Sequence, residues 1–261
     1  MKRILLAGDL HCGHFAGLTP PAWRLRDTAQ THKLYKVQTE CWRWYEREID
    51  AVQPIHLAVW NGDCIDGKGP KSGGTELITA DREEQAAMAV VCIKRAHATH
   101  NLLTYGTPYH TGQTEDFERL VANELGCKIG AHEWPEIDGV VLDCRHKVGG
   151  SSIPHGRKTA ISRAVLWNML WADAGLQPRA DILVRSHCHF HVGGYDYFGT
   201  HRVDAMVLPA LSAMGSKFGS RECEGFVHFG FVTVDIEEGK CPLIQPHLAH
   251  IKAQVATTTQ Y

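Results

Sequence analysis

The sequence predicts an α/β layered fold. Short apolar runs alternate with longer segments of helical period, the pattern of strands and helices that cover one another. After Phe190 the texture changes to Gly-punctuated β runs, so the second half is expected to be largely antiparallel. With 261 residues, 44% of them apolar, the chain can bury a substantial core and is read as one domain spanning 1–261.

Taken in order, KRILLA predicts a strand over 3–7. The segment 33–52 places Leu34, Val37, Cys41, Tyr45 and Val52 on one side of a helix with charges opposite, and Pro54 follows its end. A strand over 55–60 and a helix over 80–98 come next, then a strand over 102–105 and a helix over 115–125 stopped by Gly126. Further strands are expected over 140–144 and 182–184, separated by a helix over 157–174 that ends at Gly175 before Pro178. Beyond them, 203–208 and 226–236 read as β runs. The stretches 67–74 and 149–156 read as surface loops, and no internal repeat or linker interrupts the chain. Trp42 and Trp44 belong to a helix with an apolar face and are read as core, not as a base-stacking platform.

A formal charge of −2 gives no global field that would draw the protein to nucleic acid or to an anionic membrane, although a local basic groove remains compatible with it. The apolar run at the N-terminus ends at Asp9, too soon for a signal-peptide core, and no later run approaches the roughly 18 apolar residues of a span. Nine cysteines, an odd number without regular spacing, suit reduced thiols. The expectation is a cytoplasmic protein with no membrane partner. Seventeen histidines point toward metal, but that many would place about one HxH by chance, so HxH alone decides nothing.

The informative feature is where polar residues fall relative to the strands. KRILLAG runs into Asp9 and His11, IHLAVWNG into Asp63, LLTYG into Thr107 and His110, VVLDCR into His146, and DILVRS into His187 and His189. In open α/β sheets the carboxyl ends of the strands form the ligand crevice, so these groups are expected to converge. Carboxylates mixed with several imidazoles suit Mn, Fe, Zn or Ni better than a purely oxygen-ligated ion. Two such ions about 3.5 to 4 Å apart hold a hydroxide nucleophile and stabilise charge on attacking and leaving oxygens, which is the chemistry of phosphoester hydrolysis.

In that order, GDLH (8–11), NGDCID (61–66) and SHCH (186–189) resemble the DxH, GDxxD and GHxH blocks of the calcineurin-like metallophosphoesterases. The resemblance runs from residue 4 to about 235, and it extends more loosely to small uncharacterised members of phages and prophages. It implies a four-layered α/β/β/α sandwich of two mixed sheets flanked by helices, with two divalent ions between the sheets, manganese first and Fe, Zn or Ni as alternatives. By motif, Asp9, His11, Asp63 and His189 would hold one ion, with Asp63 bridging to a second held by His146 and His187. His155 is the other candidate for the position given to His146, which is favoured because it directly ends a strand.

This chain departs from the family pattern at two places. The GNH block appears as Gly106-Thr-Pro-Tyr-His110; Thr107 is a poor ligand, so the second ion is weakly held, recruits His110, or is completed by water. His110 is then a ligand or the general acid. Ser186 stands where the family has Gly. Asp66 either orients a ligand, and so counts with His110 as catalytic, or caps a loop.

Cys12, Cys64 and Cys188 lie inside the blocks as redox-sensitive thiols or small fillers. Arg157, Lys158, Lys217 and Arg221 contact substrate phosphate or are simply solvated. The resemblance implies a phosphoester substrate, first a phosphodiester such as nucleic acid or a nucleotide. Phosphomonoesterase or protein phosphatase activity, or a metal-binding scaffold that has lost turnover, are the alternatives.

Overall fold

The computed structural model describes residues 1–70, 73–112, 116–151, 153–213, 227–251, 258 and 260. Two mixed sheets form its centre. The first holds β1 (Lys2–Ala7), β2 (Leu57–Asn61), β3 (His100–Thr104), β4 (Lys128–Gly130), β10 (Phe229–Ile236) and β11 (Leu243–Ala249), in the order β11-β10-β1-β2-β3-β4. The second holds β5 (Glu136–Ile137), β6 (Val140–Cys144), β7 (Ile182–Arg185), β8 (Val192–Phe198) and β9 (His201–Val207), in the order β5-β6-β7-β9-β8. Strands β1 to β4 run parallel, as do β6, β7 and β9, while β10, β11, β5 and β8 pair antiparallel.

Three apolar cores define four layers. Alternate side chains of a strand face opposite sides, and β1 shows the consequence: Leu5 and Ala7 pack under α1 (His32–Ala51) and α2 (Arg82–Lys94), while Ile4 and Leu6 face the second sheet. β2 divides likewise, with Ala58 and Trp60 outward and Leu57 and Val59 inward. Leu142, Cys144, Ile182, Val184 and Met206 meet that inner face from the second sheet. On the far side Leu183, Val203, Ala205 and Val207 pack against Ile161 and Val165 of α5 (Thr159–Asp173). The α/β/β/α sandwich of two mixed sheets is therefore present. Leu6 is fully buried in the inter-sheet core, so Leu6→Ala is expected to cost about 2–5 kcal/mol, read as a lowered midpoint in urea denaturation.

The expected elements shift in ways that local chemistry explains. The helix expected from residue 80 begins after Asp81, whose carboxylate accepts hydrogen bonds from the Glu83 and Glu84 amides, and it ends at Lys94 rather than 98. The helix expected from 115 is α4 (Glu118–Leu125), and it does stop at Gly126, which takes a left-handed φ of 61°; residue 115 lies outside the described residues. The helix expected from 157 starts as a 3-10 turn (Pro154–Lys158) before α5, since Pro154 and Gly156 sit at its opening. A short helix, α3 (Pro108–Thr111), not expected from the sequence, follows β3 and carries His110.

The second half is less uniformly antiparallel than expected. β9 runs parallel to β7, and β10 returns to the first sheet because its two faces serve two cores, Phe229 and Phe231 in one and Val232, Val234 and Ile236 in the other. Trp42 and Trp44 are buried in the outer core, Trp44 edge-on to Phe229. No helix among the described residues is long and apolar enough to cross a membrane.

Candidate metal centre

The parallel strands β1, β2, β6 and β7 all end at one place. Two residues past β1 and β2 lie Asp9 and Asp63, two past β6 lies His146, and His187 and His189 follow β7. Asn61 fastens the two sheets there: its Nδ2 donates to Ser186 Oγ (2.8 Å) and the Arg145 carbonyl (3.2 Å), and its Oδ1 accepts from Thr104 Oγ1 (2.9 Å). Ser186 thus helps span the two sheets.

The donor atoms gather in three groups, each within 4.8 Å of one another: Asp9, His11 and His189; Asp63, His146 and His187; and His11, Asp66 and His110. These groups contain Asp9, His11, Asp63, Asp66, His110, His146, His187 and His189. His11 Nε2 and His189 Nε2 are 3.1 Å apart and lie 3.8 and 3.3 Å from Asp9 Oδ1. His146 Nε2 is 3.0 Å from Asp63 Oδ2 and 4.0 Å from Asp9 Oδ1. Separations of this kind are those between ligand atoms of one ion with bonds of about 2.0 to 2.2 Å.

Three further observations fit a cation. Asp9 Oδ1 and His146 Nε2 are buried without a hydrogen-bond partner, the 3.0 Å approach of His146 to Asp63 being misaligned for one. Such orphaned polar atoms are costly unless something else meets them. The outer nitrogens are fixed: His146 Nδ1 donates to the Asn61 carbonyl (2.7 Å) and His11 Nδ1 to Asp66 Oδ1 (3.0 Å), so each Nε2 turns its lone pair inward. The backbone is also strained. Asp9, His11, Asp63, His187 and His189 have φ of 52°, 45°, 51°, 75° and 54°. Only His97 and Asp138 join them among described non-glycine residues with positive φ. Strain of this kind costs of order 1–3 kcal/mol per residue and concentrates at functional sites.

The electrostatics point the same way. Burial would raise the Asp9 carboxyl, but His189, His11 and His146 outweigh it and hold Asp9 well below the ordinary carboxylate range. Asp63 is likewise held low against its burial, chiefly by His146. In return, the adjacent charge of Asp63 overcomes burial and pushes His146 up to about 9.

Each sequence candidate has a definite place. Thr107 binds Asp63, a member of one donor group: its amide donates to Asp63 Oδ1 at 2.7 Å, with Oγ1 at 3.3 Å. His110 Nδ1 donates to the Asp66 carbonyl (2.8 Å), and Nε2 lies 3.9 Å from Asp63 Oδ2. His155 is exposed in the 3-10 turn, outside all three groups. Cys12 and Cys64 are fully buried and burial pushes their thiols well up, so both behave as packing groups; burial also raises Cys188, to about 11. The Arg157 guanidinium stacks on Phe190, the neighbour of His189, at 4.7 Å. Lys158 is exposed, and Lys217 and Arg221 lie outside the described residues.

Glu118 has no counterpart in the sequence reading. Fully buried in the first turn of α4, its carboxylate accepts the Cys64 amide (2.6 Å) and the Gly106 amide (2.7 Å), joining the loops after β2 and β3. Burial, aided by the charge of Asp63, pushes it up to about 8 despite those two hydrogen bonds.

No family model and no curated protein matches the chain. Among solved structures, a Vps29 from Entamoeba histolytica complexed with zinc is 11% identical over 94% of this chain and 98% of its own, with a TM-score of 0.40. A conserved uncharacterised protein of Streptococcus pneumoniae TIGR4, described as a predicted phosphoesterase, is 11% identical over the same shares, with a TM-score of 0.39. A purple acid phosphatase from yellow lupin seeds is 11% identical over 89% of this chain and 49% of its own, with a TM-score of 0.46. Likenesses this distant carry no activity across, so function has to be argued from the side chains.

Proposed function

We propose that this chain is a calcineurin-like metallophosphoesterase, a cytoplasmic enzyme working as one unit over 1–261, that hydrolyses a phosphodiester with two divalent ions, manganese first. The observation that carries the reading is the pair of orphaned buried atoms, Asp9 Oδ1 and His146 Nε2, between donor groups on strained backbone. Asp9, His11 and His189 would hold one ion, His146 and His187 the other, with Asp63 between them. When bound, such ions supply a nucleophilic hydroxide at neutral pH and Lewis-acid stabilisation of the phosphoryl oxygens.

The chain's own residues do the rest. Asp66 fixes the His11 ring by accepting from Nδ1, and its carbonyl fixes His110 in the same way. With Nδ1–H committed, His110 can donate from Nε2 only as the imidazolium, which would take a proton from solvent and pass it to the leaving oxygen; burial, with the charge of His11, lowers its pKa, so that proton is readily given up. Thr107 holds the Asp63 carboxylate in place in lieu of the family's Asn. Arg157, held beside His189 by Phe190, is placed to meet a substrate phosphate.

Protein purified without chelator is expected to contain two metals per chain by elemental analysis and to turn over bis-p-nitrophenyl phosphate with manganese. Turnover of p-nitrophenyl phosphate alone would move the assignment to a phosphomonoesterase or protein phosphatase. One ion or none, without turnover after reconstitution, would make the chain a metal-binding scaffold.

A further inference from the structure

A second concave site lies on the other face of β6. Leu142 and Cys144 point between the sheets toward the side that His146 continues, so Asp143 and Arg145 point the opposite way, under α5. There they line a cleft of about 340 Å³ together with Lys147, Arg163, Trp167 and Trp171. That volume falls within the range of sites that enclose a small organic ligand.

The lining has a distinct chemistry. Arg145, Lys147 and Arg163 bring three cations, and no ion pair or side-chain hydrogen bond engages them among the described residues. Arg145 Nε is buried with no partner at all. The one acid, Asp143, is already committed, to Arg185 Nη1 at 2.6 Å and His132 Nε2 at 2.7 Å. On the rim the indoles of Trp167 and Trp171 stack on each other, 5.3 Å apart and inclined by 30°, and Trp167 remains 44% exposed. Unpaired cations beside an open aromatic face match a ligand that carries both phosphate and a flat ring.

The cleft is also next to the metal centre. Arg145 and Lys147 flank His146 in the chain, and a Cβ on Gly150 would lie 3.7 Å from Cys188 Sγ, between His187 and His189. The loop 147–150 therefore touches the loop that carries two candidate ligands, and Cys188 Sγ also lies 4.0 Å from the Val148 carbonyl. Its two glycines leave it without side chains at 149 and 150.

We propose that the cleft between α5 and the end of β6 binds single-stranded nucleic acid, Trp167 stacking a base while Arg145, Lys147 and Arg163 contact phosphates. A strand with its phosphodiester at the metal centre would continue past the 147–150 loop into the cleft. This rests on the phosphodiesterase reading and names its substrate class.

The test is fluorescence anisotropy of a fluorescein-labelled phosphorothioate oligothymidylate of about twelve nucleotides with the full chain as purified, a length within single-strand site sizes. Log affinity should fall with log salt at a slope near −2, since three phosphate contacts on a single strand contribute about −0.7 each. Trp167→Ala should weaken binding about tenfold, and Arg163→Gln should make the salt slope shallower by about 0.7. Both residues are exposed, and circular dichroism of each variant checks folding.

Absence of binding at low salt, or Trp167→Ala binding as tightly as wild type, would overturn the proposal. So would a wild-type dimer that Trp167→Ala dissociates with oligonucleotide affinity unchanged, because Leu166, Trp167 and Leu170 would then be covered by a second copy. Bis-p-nitrophenyl phosphate turnover by the same sample separates the two readings. Turnover without oligonucleotide binding removes the cleft alone, whereas Trp167-dependent binding without diester turnover removes the phosphodiesterase reading and keeps the cleft.

Discussion

Asp63→Asn is expected to lower kcat/KM on bis-p-nitrophenyl phosphate by about a thousandfold, the several kcal/mol that metal stabilisation of the transition state supplies. Bound metal should fall from two ions per chain toward one. The Asp63 carboxylate stands at the junction of the donor groups, with Oδ2 at 3.0 Å from His146 Nε2 and 3.9 Å from His110 Nε2. Asn keeps the shape and is among the residues that tolerate the left-handed φ of 51° found here, so the backbone need not move. What it removes is the charge, and it leaves one neutral oxygen where two ions would share a carboxylate. His155→Ala is the matched control, because His155 is exposed and outside the donor groups. Equal losses in the two variants, both folded, would sink the assignment of Asp63 as the bridge.

The interior of this fold was legible in the sequence because its central strands are parallel and buried on both faces. Runs such as ILLA and LAVW are apolar throughout, and the chemistry follows directly at their carboxyl ends. The strands that went unread are those at or near the edges. β8 is VGGYDYF and largely exposed, β11 carries Pro246 in an edge position, and β5 has only two residues. None of them shows the alternation or the apolar density that marks a strand.

At the site, the donor residues could be named because each follows a strand, whereas the groups that hold them could not. Asn61 reaches Ser186, 125 residues away, and Glu118 reaches back 54 residues to Cys64. Such bonds exist only once the sheets have been brought together. The left-handed backbone at Asp9, His11, Asp63, His187 and His189 is similarly hidden, because none of these residues is a glycine whose presence would announce it. Thr107 shows the converse: by residue type it reads as a poor ligand, and only the structure reveals that it binds Asp63 instead.

Glu118→Ala should destabilise the protein by about 2–5 kcal/mol and cost about 10- to 100-fold in turnover. The first figure follows from leaving the buried Cys64 amide and the part-buried Gly106 amide without an acceptor, at about 1–3 kcal/mol for the first and somewhat less for the second. The second follows because groups that orient ligands from behind have effects of that size. The loops tied by Glu118 meet tightly: a Cβ on Gly106 would collide with Asp63 Oδ1, and the next residue, Thr107, donates its amide to that same oxygen. If the Gly106 loop drifts, Asp63 loses its strongest orienting hydrogen bond, and the carboxylate proposed to bridge the ions becomes free to rotate. Glu118→Gln keeps the volume and one acceptor while turning an NH2 group toward the other amide, so it should fall between wild type and Glu118→Ala in both measurements. Urea denaturation and manganese titration of the two variants separate packing from positioning. A variant that loses stability but binds manganese with unchanged affinity would reduce Glu118 to a structural brace, and one as stable as wild type would remove it from the site altogether.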